Sequence, residues 1–263
     1  MKKIIALLMV VAMLFCFAGC GNQTPILVAE KESAGESVAT TEADFADYEY
    51  TAVDTQAKAL MEVNAGTADA AVVDYVMSIG SIGKGTDYES LVVEGGGYSE
   101  EEYGIAFRKG SDMTAKVNEI IRELKADGSL GEIAKKYKLD GILLGDAQSD
   151  AFEQAEEDSD YQYIMDKGEL VVGITYFAPM NYMDDNGELI GFETEFAKAV
   201  GEKLGVTVKF QEISWTAKET ELAAKNIDCI WNGMTITEER EEAMSISIPY
   251  MQNKQVKIVK AAD

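Results

Sequence analysis

The densest run of chemically capable side chains is Trp231-Asn232-Gly233-Met234-Thr235-Ile236-Thr237-Glu238-Glu239-Arg240. Apolar strand residues give way there to a glycine and hydroxyls. Thr237 is then a residue of N-cap type, with Arg240 three positions on. Free backbone N–H groups, hydroxyls and a guanidinium are thus gathered within about one helical turn. Such a set suits a carboxylate, because a helix N-terminus favours an anion and arginine binds one through two parallel hydrogen bonds. The same spacing also fits a capped helix with a surface arginine.

Three further positions share a setting with this run. Ser33-Ala34-Gly35-Glu36 follows the apolar stretch Ile26 to Ala29, so a strand there turns into a helix and offers N–H donors to an anion. Asp74 follows Ala70-Ala71-Val72-Val73 and suits either an ammonium or the cap of the next helix. Phe177 stands just past Leu170 to Ile174 and suits either the wall of an apolar or cationic ligand or the core. All these positions lie at the carboxyl ends of strands, where open α/β sheets bind ligands. Anion site, cation partner and aromatic wall together are what a zwitterionic amino acid requires.

Composition narrows the chemistry. The chain has 263 residues, no histidine and three cysteines. Without histidine there is no Ser-His-Asp triad, and the commonest zinc ligands are missing. No cofactor or metal site is expected. Cys16 and Cys20 lie at the N-terminus, which leaves Cys229, flanked by Ile227 and Ile230, as a small core residue. The formal charge of −24 opposes sequence-independent binding to nucleic acid.

Residues 1–19 read as a secretion signal: Lys2 and Lys3, then the apolar run Ile4 to Phe17, then Ala18-Gly19. Phe17-Ala18-Gly19-Cys20 resembles a bacterial lipobox, which implies cleavage before Cys20 and lipidation of its sulfur. The expected location is extracytoplasmic, with the protein anchored to the membrane through lipid, and residues 20–24 are the tether.

The elements that must position these residues alternate between short apolar strands and amphipathic helices, an α/β pattern. Strands are predicted at Ile26–Ala29, Ala70–Val73, Leu91–Val93, Leu170–Ile174, Val206–Phe210, Ile227–Trp231 and Val256–Val259, and a different region begins at Ile105-Ala106-Phe107. Thr55–Asn64 reads as a helix burying Ala59, Leu60 and Val63. Val117, Ile120, Ile121 and Leu124 mark a second, and Phe192, Phe196, Val200 and Leu204 a third that is capped by Gly205. Gly145 to Asp160 is acidic and has little to bury, as expected of an exposed linker.

At this point the chain resembles the polar amino-acid substrate-binding proteins of ABC importers, which have the type II periplasmic-binding-protein fold. The likeness is carried by Gly173-Ile174-Thr175-Tyr176-Phe177-Ala178-Pro179-Met180, Ile227 to Arg240, Ala65 to Asp74, Tyr103 to Gly110 and Lys125 to Tyr137. It implies two α/β lobes around a ligand cleft, no catalysis, and a permease as partner. By the same resemblance, Phe177 stacks over the ligand, Gly233 and Thr235 contact it, and Arg240 clamps its α-carboxylate. Ser33 and Ala34 contact that carboxylate from the other lobe, and Asp74 binds the α-ammonium. Glu30 and Trp215 are weaker candidates for the side-chain pocket.

The order of segments departs from the family and implies a circular permutant. Residues 25–97 correspond to lobe 2, 98–144 to the return crossing and C-terminal helices of lobe 1, 145–162 to a linker, and 163–263 to the main part of lobe 1. The crossing after Val256 to Lys260 is expected to be cut, leaving only the one near Gly95 to Tyr103 continuous. Glu32 stands where the family has a glycine and is expected to crowd the ligand's carboxylate. The alternatives are a ligand-sensing domain, an enzyme using carboxylate chemistry, and a rearranged protein with weakened affinity; exchange of lobes between two chains would give a domain-swapped dimer.

Overall fold

The computed structural model describes residues 24–145 and 159–262. The signal, Cys20 and most of the expected linker lie outside the described residues. β1 (Ile26–Glu30), α1 (Ala34–Thr41), β2 (Glu49–Val53), α2 (Gln56–Ala65), β3 (Ala70–Asp74) and α3 (Tyr75–Ser81) come first. β4 (Leu91–Arg108) is followed by α4 (Met113–Ala126) and α5 (Ser129–Lys136). Then come α6 (Asp160–Lys167), β5 (Glu169–Ile174), β6 (Tyr182–Met183), β7 (Leu189–Ile190) and α7 (Phe192–Leu204). β8 (Thr207–Glu212), α8 (Lys218–Ala223), β9 (Cys229–Thr235), α9 (Glu238–Ala243), β10 (Met244–Ile246) and β11 (Met251–Lys260) complete it.

Local chemistry sets the helix ends as the sequence reading expects. The Thr55 hydroxyl accepts from the N–H of Lys58 to start α2, and Gly66, at φ 76°, closes it in the left-handed region. Gly205, at φ 76°, closes α7 in the same way. The predicted apolar faces of α2 and α7 are buried. The thiol of Cys229 is free and buried.

Nine strands form one mixed sheet in the order β2-β1-β3-β11-β4-β9-β5-β8, with β10 on β4. β1 pairs in parallel with β2 and β3, and β5 pairs in parallel with β8 and β9. We refer to these two parallel groups, with the helices packed on them, as lobe 2 and lobe 1. Between them run β11 and β4, antiparallel to each other from Met251 opposite Tyr103 to Lys260 opposite Leu91.

That pairing amends three expectations. The short strand expected at Leu91–Val93 is one end of the 18-residue β4, which runs on through Ile105-Ala106-Phe107, where a different region was expected to begin. The crossing expected to be cut is intact, because β11 is itself that crossing: it leaves Tyr103 and lies against β3, with Gln255 opposite Asp74 and Val259 opposite Ala70. The stretch Gln255–Lys260 therefore belongs to the sheet of lobe 2, not to lobe 1 with the rest of 163–263. A short apolar run at the end of a polar strand carries no mark of which sheet it joins. The linker, expected to reach residue 162, gives way earlier, since α6 starts at Asp160. The Asp160 carboxylate accepts from Arg108 Nε at 2.9 and 3.0 Å, which docks the helix on lobe 1.

Candidate ligand cleft

One cavity between the lobes is lined by all the residues named above as ligand contacts or as candidates for the side-chain pocket. Lobe 2 contributes Glu30 at the end of β1, Ser33 and Ala34 at the start of α1, and Asp74 at the end of β3. Lobe 1 contributes Phe177 beyond β5, Trp215 beyond β8, Gly233 and Thr235 on β9, and Arg240 on α9. Its empty space is ≈ 370 Å³ including what opens to solvent, but side chains crowd it so closely that little more than a water fits inside. A wider groove of ≈ 1640 Å³ adjoins it, sharing Ala34 and Thr235.

The lobe 1 wall is held from behind. Gly233 has φ 57°, and a Cβ there would meet Phe177 Cε1 at 2.4 Å. The aromatic ring thus packs directly on bare backbone, which only glycine allows. The N–H of Gly233 donates to Glu193 Oε1 at 2.9 Å, and the Tyr250 hydroxyl donates to the same oxygen. Glu193 is wholly buried, and burial pushes its carboxyl up to about 7. Asn232 Nδ2 donates to the Thr175 carbonyl at 2.9 Å, and the Thr175 hydroxyl donates to Asn232 Oδ1 at 2.6 Å, tying the ends of β9 and β5 together.

Arg240 is placed by the cap read from the sequence: its N–H donates to the Thr237 hydroxyl at 3.2 Å. Its Nη1 donates to the Thr235 carbonyl at 2.8 Å, and its Nη2 reaches across to the Glu32 carbonyl at 3.4 Å. Trp215 Nε1 donates to that same carbonyl at 3.2 Å. Glu32 itself sits at φ 59° in the left-handed region. Its carboxylate does not line the cavity but lies 3.9 Å from Lys218 Nζ, so the expected crowding by this side chain is replaced by a backbone contact to Arg240.

The lobe 2 wall is acidic. Asp74 opens α3 without capping it by its side chain. Instead its carboxylate accepts from Gln56, Asn253 and, at 2.7 Å, Gln255 Nε2. Glu101 Oε2 accepts from the same two crossing-strand amides, Gln255 Nε2 at 2.9 Å and Asn253 Nδ2 at 3.0 Å, and from the Thr235 hydroxyl at 3.1 Å. Burial, and then Asp74, push Glu101 up to about 7; burial also raises Asp74. Glu30, 4 % exposed, is pushed up to about 8 by burial and then by Asp74. The Ser33 hydroxyl is already engaged, donating to the Glu30 carbonyl at 2.7 Å and accepting from the Glu36 N–H at 3.1 Å.

Sequence reasoning missed Gln56, Thr175, Tyr176 and Asn232 among the lining residues, and Glu101, Asn253 and Gln255 behind Asp74. Thr175, Tyr176 and Asn232 stand beside residues that were singled out, so the strand-end rule could have found them. The others carry no local signal. Gln56 meets Asp74 only because α2 packs on β3, and the two amides meet it only because β11 enters lobe 2.

Residues 170–263 match the family of bacterial extracellular solute-binding proteins, family 3. The L-cystine-binding protein TcyJ of Escherichia coli is 34% identical over 88 residues, 33% of this chain and 33% of that protein. A probable amino-acid ABC transporter-binding protein of Haemophilus influenzae is 37% identical over 87 residues, 33% of this chain and 34% of that one. The chain thus spans about a third of the length of the curated relatives it matches. Among solved structures, the arginine-bound domain 1 of TmArgBP is 33% identical, covering 38% of this chain and 84% of that chain with a TM-score of 0.34. An ancestral cyclohexadienyl dehydratase is also 33% identical, covering 34% and 37% with a TM-score of 0.31. The matched segment supplies Phe177, Trp215, Gly233, Thr235 and Arg240 of the cavity lining.

Proposed function

We propose that this chain is a non-catalytic, extracytoplasmic binding protein that captures an amino acid in the cleft and delivers it to the permease of an ABC importer. The observation that carries this reading is one cavity with Arg240 on one wall and Asp74 on the other. A guanidinium and a carboxylate on opposed walls fit the two ends of a zwitterion. Attachment to the membrane through lipid on Cys20 is part of the same proposal. The Asp74 carboxylate is held by amides and Glu30 Oε1 has no hydrogen-bond partner, an arrangement that answers charges on a ligand and supports binding over catalysis.

We read the chain further as a circular permutant. Lys260 and Ile26 lie at the same end of the sheet with only β3 between their strands, roughly 10 Å apart at the ordinary strand spacing. A short connection would join them, which supports a rearrangement that leaves the cleft unchanged. The Arg240 contact to the Glu32 carbonyl favours a second reading, in which the rearranged protein binds weakly because its anion clamp is already occupied.

Calorimetry against the twenty amino acids tests both. Binding of at least one at about micromolar strength or tighter is expected, and Arg240→Ala and Asp74→Ala should each lose roughly 2–5 kcal/mol. No heat with any amino acid from a folded protein overturns the amino-acid reading, and unchanged affinity in both variants overturns the site.

A further inference from the structure

The charge along the cavity does not balance for a zwitterion. Its lining carries two carboxylates, Glu30 and Asp74, against one guanidinium, Arg240. A ligand's α-carboxylate and α-ammonium answer Arg240 and Asp74 one for one. Glu30 is then left over. Its Oε1 is buried and has no hydrogen-bond partner, and it makes no ion pair among the described residues.

The neighbours of Glu30 are shared with other groups and leave its Oε1 without a hydrogen bond. The Gln56 amide is divided between Glu30 and Asp74, its Nε2 donating to the Asp74 carboxylate and its Oε1 accepting the Asp74 N–H at 2.8 Å. Lys218 Nζ lies 5.0 Å from the Trp215 ring centroid and 3.9 Å from the Glu32 carboxylate. Arg240 donates to the Thr235 and Glu32 carbonyls. An ionised carboxylate buried without a partner is among the costliest arrangements in a protein interior, and what resolves it is a counter-charge or a proton.

We propose that Glu30 selects the ligand's side chain, so that the cleft takes an amino acid with a cationic side chain, a guanidinium or an ammonium. The ligand's single excess positive charge then matches the single excess carboxylate of the lining. This rests on the amino-acid reading above and adds the substrate class to it.

The test compares isosteres that differ in charge. Calorimetry of the full-length chain in detergent is run with L-arginine against L-citrulline and with L-lysine against L-2-aminoheptanoic acid. At least one cationic member should bind about thirtyfold tighter or more than its neutral isostere, as loss of a buried charge pair predicts. Glu30→Gln should reduce that ratio to less than about threefold while retaining the neutral ligand. Equal or tighter binding of the neutral isosteres by the wild type overturns the proposal, as does a ratio that survives Glu30→Gln. If neutral amino acids bind and cationic ones do not, the proposal falls and the amino-acid reading stands. If no amino acid binds, both fall. The wild-type comparison needs no variant, so it decides the point even where Glu30→Gln fails to fold.

Discussion

At the scale of single residues, the cleft turns on carboxylates that burial has made reluctant to ionise. Glu30 is the sharpest case, since its ordinary value of 4.5 is pushed up to about 8. Facing it are Asp74, which disfavours its ionisation, and Lys218 and Arg240, which favour it. The free protein therefore holds a proton on Glu30 at neutral pH, and a cationic ligand displaces it. Affinity for such a ligand should rise from pH 6 toward about pH 8, by up to about tenfold per pH unit, and then level off. Calorimetry in buffers of different ionisation enthalpy should register proton release at pH 7. Glu101 titrates in the same range, so the control is Glu30→Gln, which should flatten the profile while Glu101 remains.

At the scale of elements, the aromatic wall depends on what β9 lacks. Replacing Gly233 by alanine puts a methyl group 2.4 Å from Phe177 Cε1 at a φ of 57°, so both the ring and the backbone must shift. Gly233→Ala should cost about 2 kcal/mol in a urea titration and weaken ligand binding together with it. The legibility of these elements from sequence was uneven, for a physical reason. Arg240, Thr237 and the helix faces answer to neighbours three or four positions away, so spacing alone located them. Asp74 was found by its place after an apolar run, but its amide partners Asn253 and Gln255 come from a strand 179 and 181 positions away. Nothing local records such a meeting. Glu32 was flagged from its side chain, whereas the contact it makes with Arg240 and Trp215 comes from its backbone carbonyl, which is the same for every residue type.

At the scale of the whole molecule, Glu30, Glu101 and Glu193 have folded-state values of about 8, 7 and 7, above the ordinary 4.5. A raised folded value means the native state binds protons that the unfolded chain has released. The stability from these groups is thus fully present below about pH 4.5 and lost as pH rises through 7 to 8. Carboxylates held low, such as Asp127 and Asp184, act the other way only below their ordinary value of 3.8. Scanning calorimetry of the ligand-free protein should therefore show Tm rising by about 5 °C or more as pH falls from 8 to 5. A flat or opposite trend would mean these acids are solvated rather than buried. The placement of β11 also bears on how the protein comes into being. Lobe 2 leaves the ribosome early with β2, β1, β3 and the first part of β4, but the strand that joins β3 to β4 follows more than 140 residues later. Until Met251–Lys260 emerges, β3 and β4 each present an open edge, and unpaired edges invite pairing with other chains. The nascent molecule must therefore be kept from aggregating until β11 is made, a burden that falls on the cell's holding machinery rather than on the cleft.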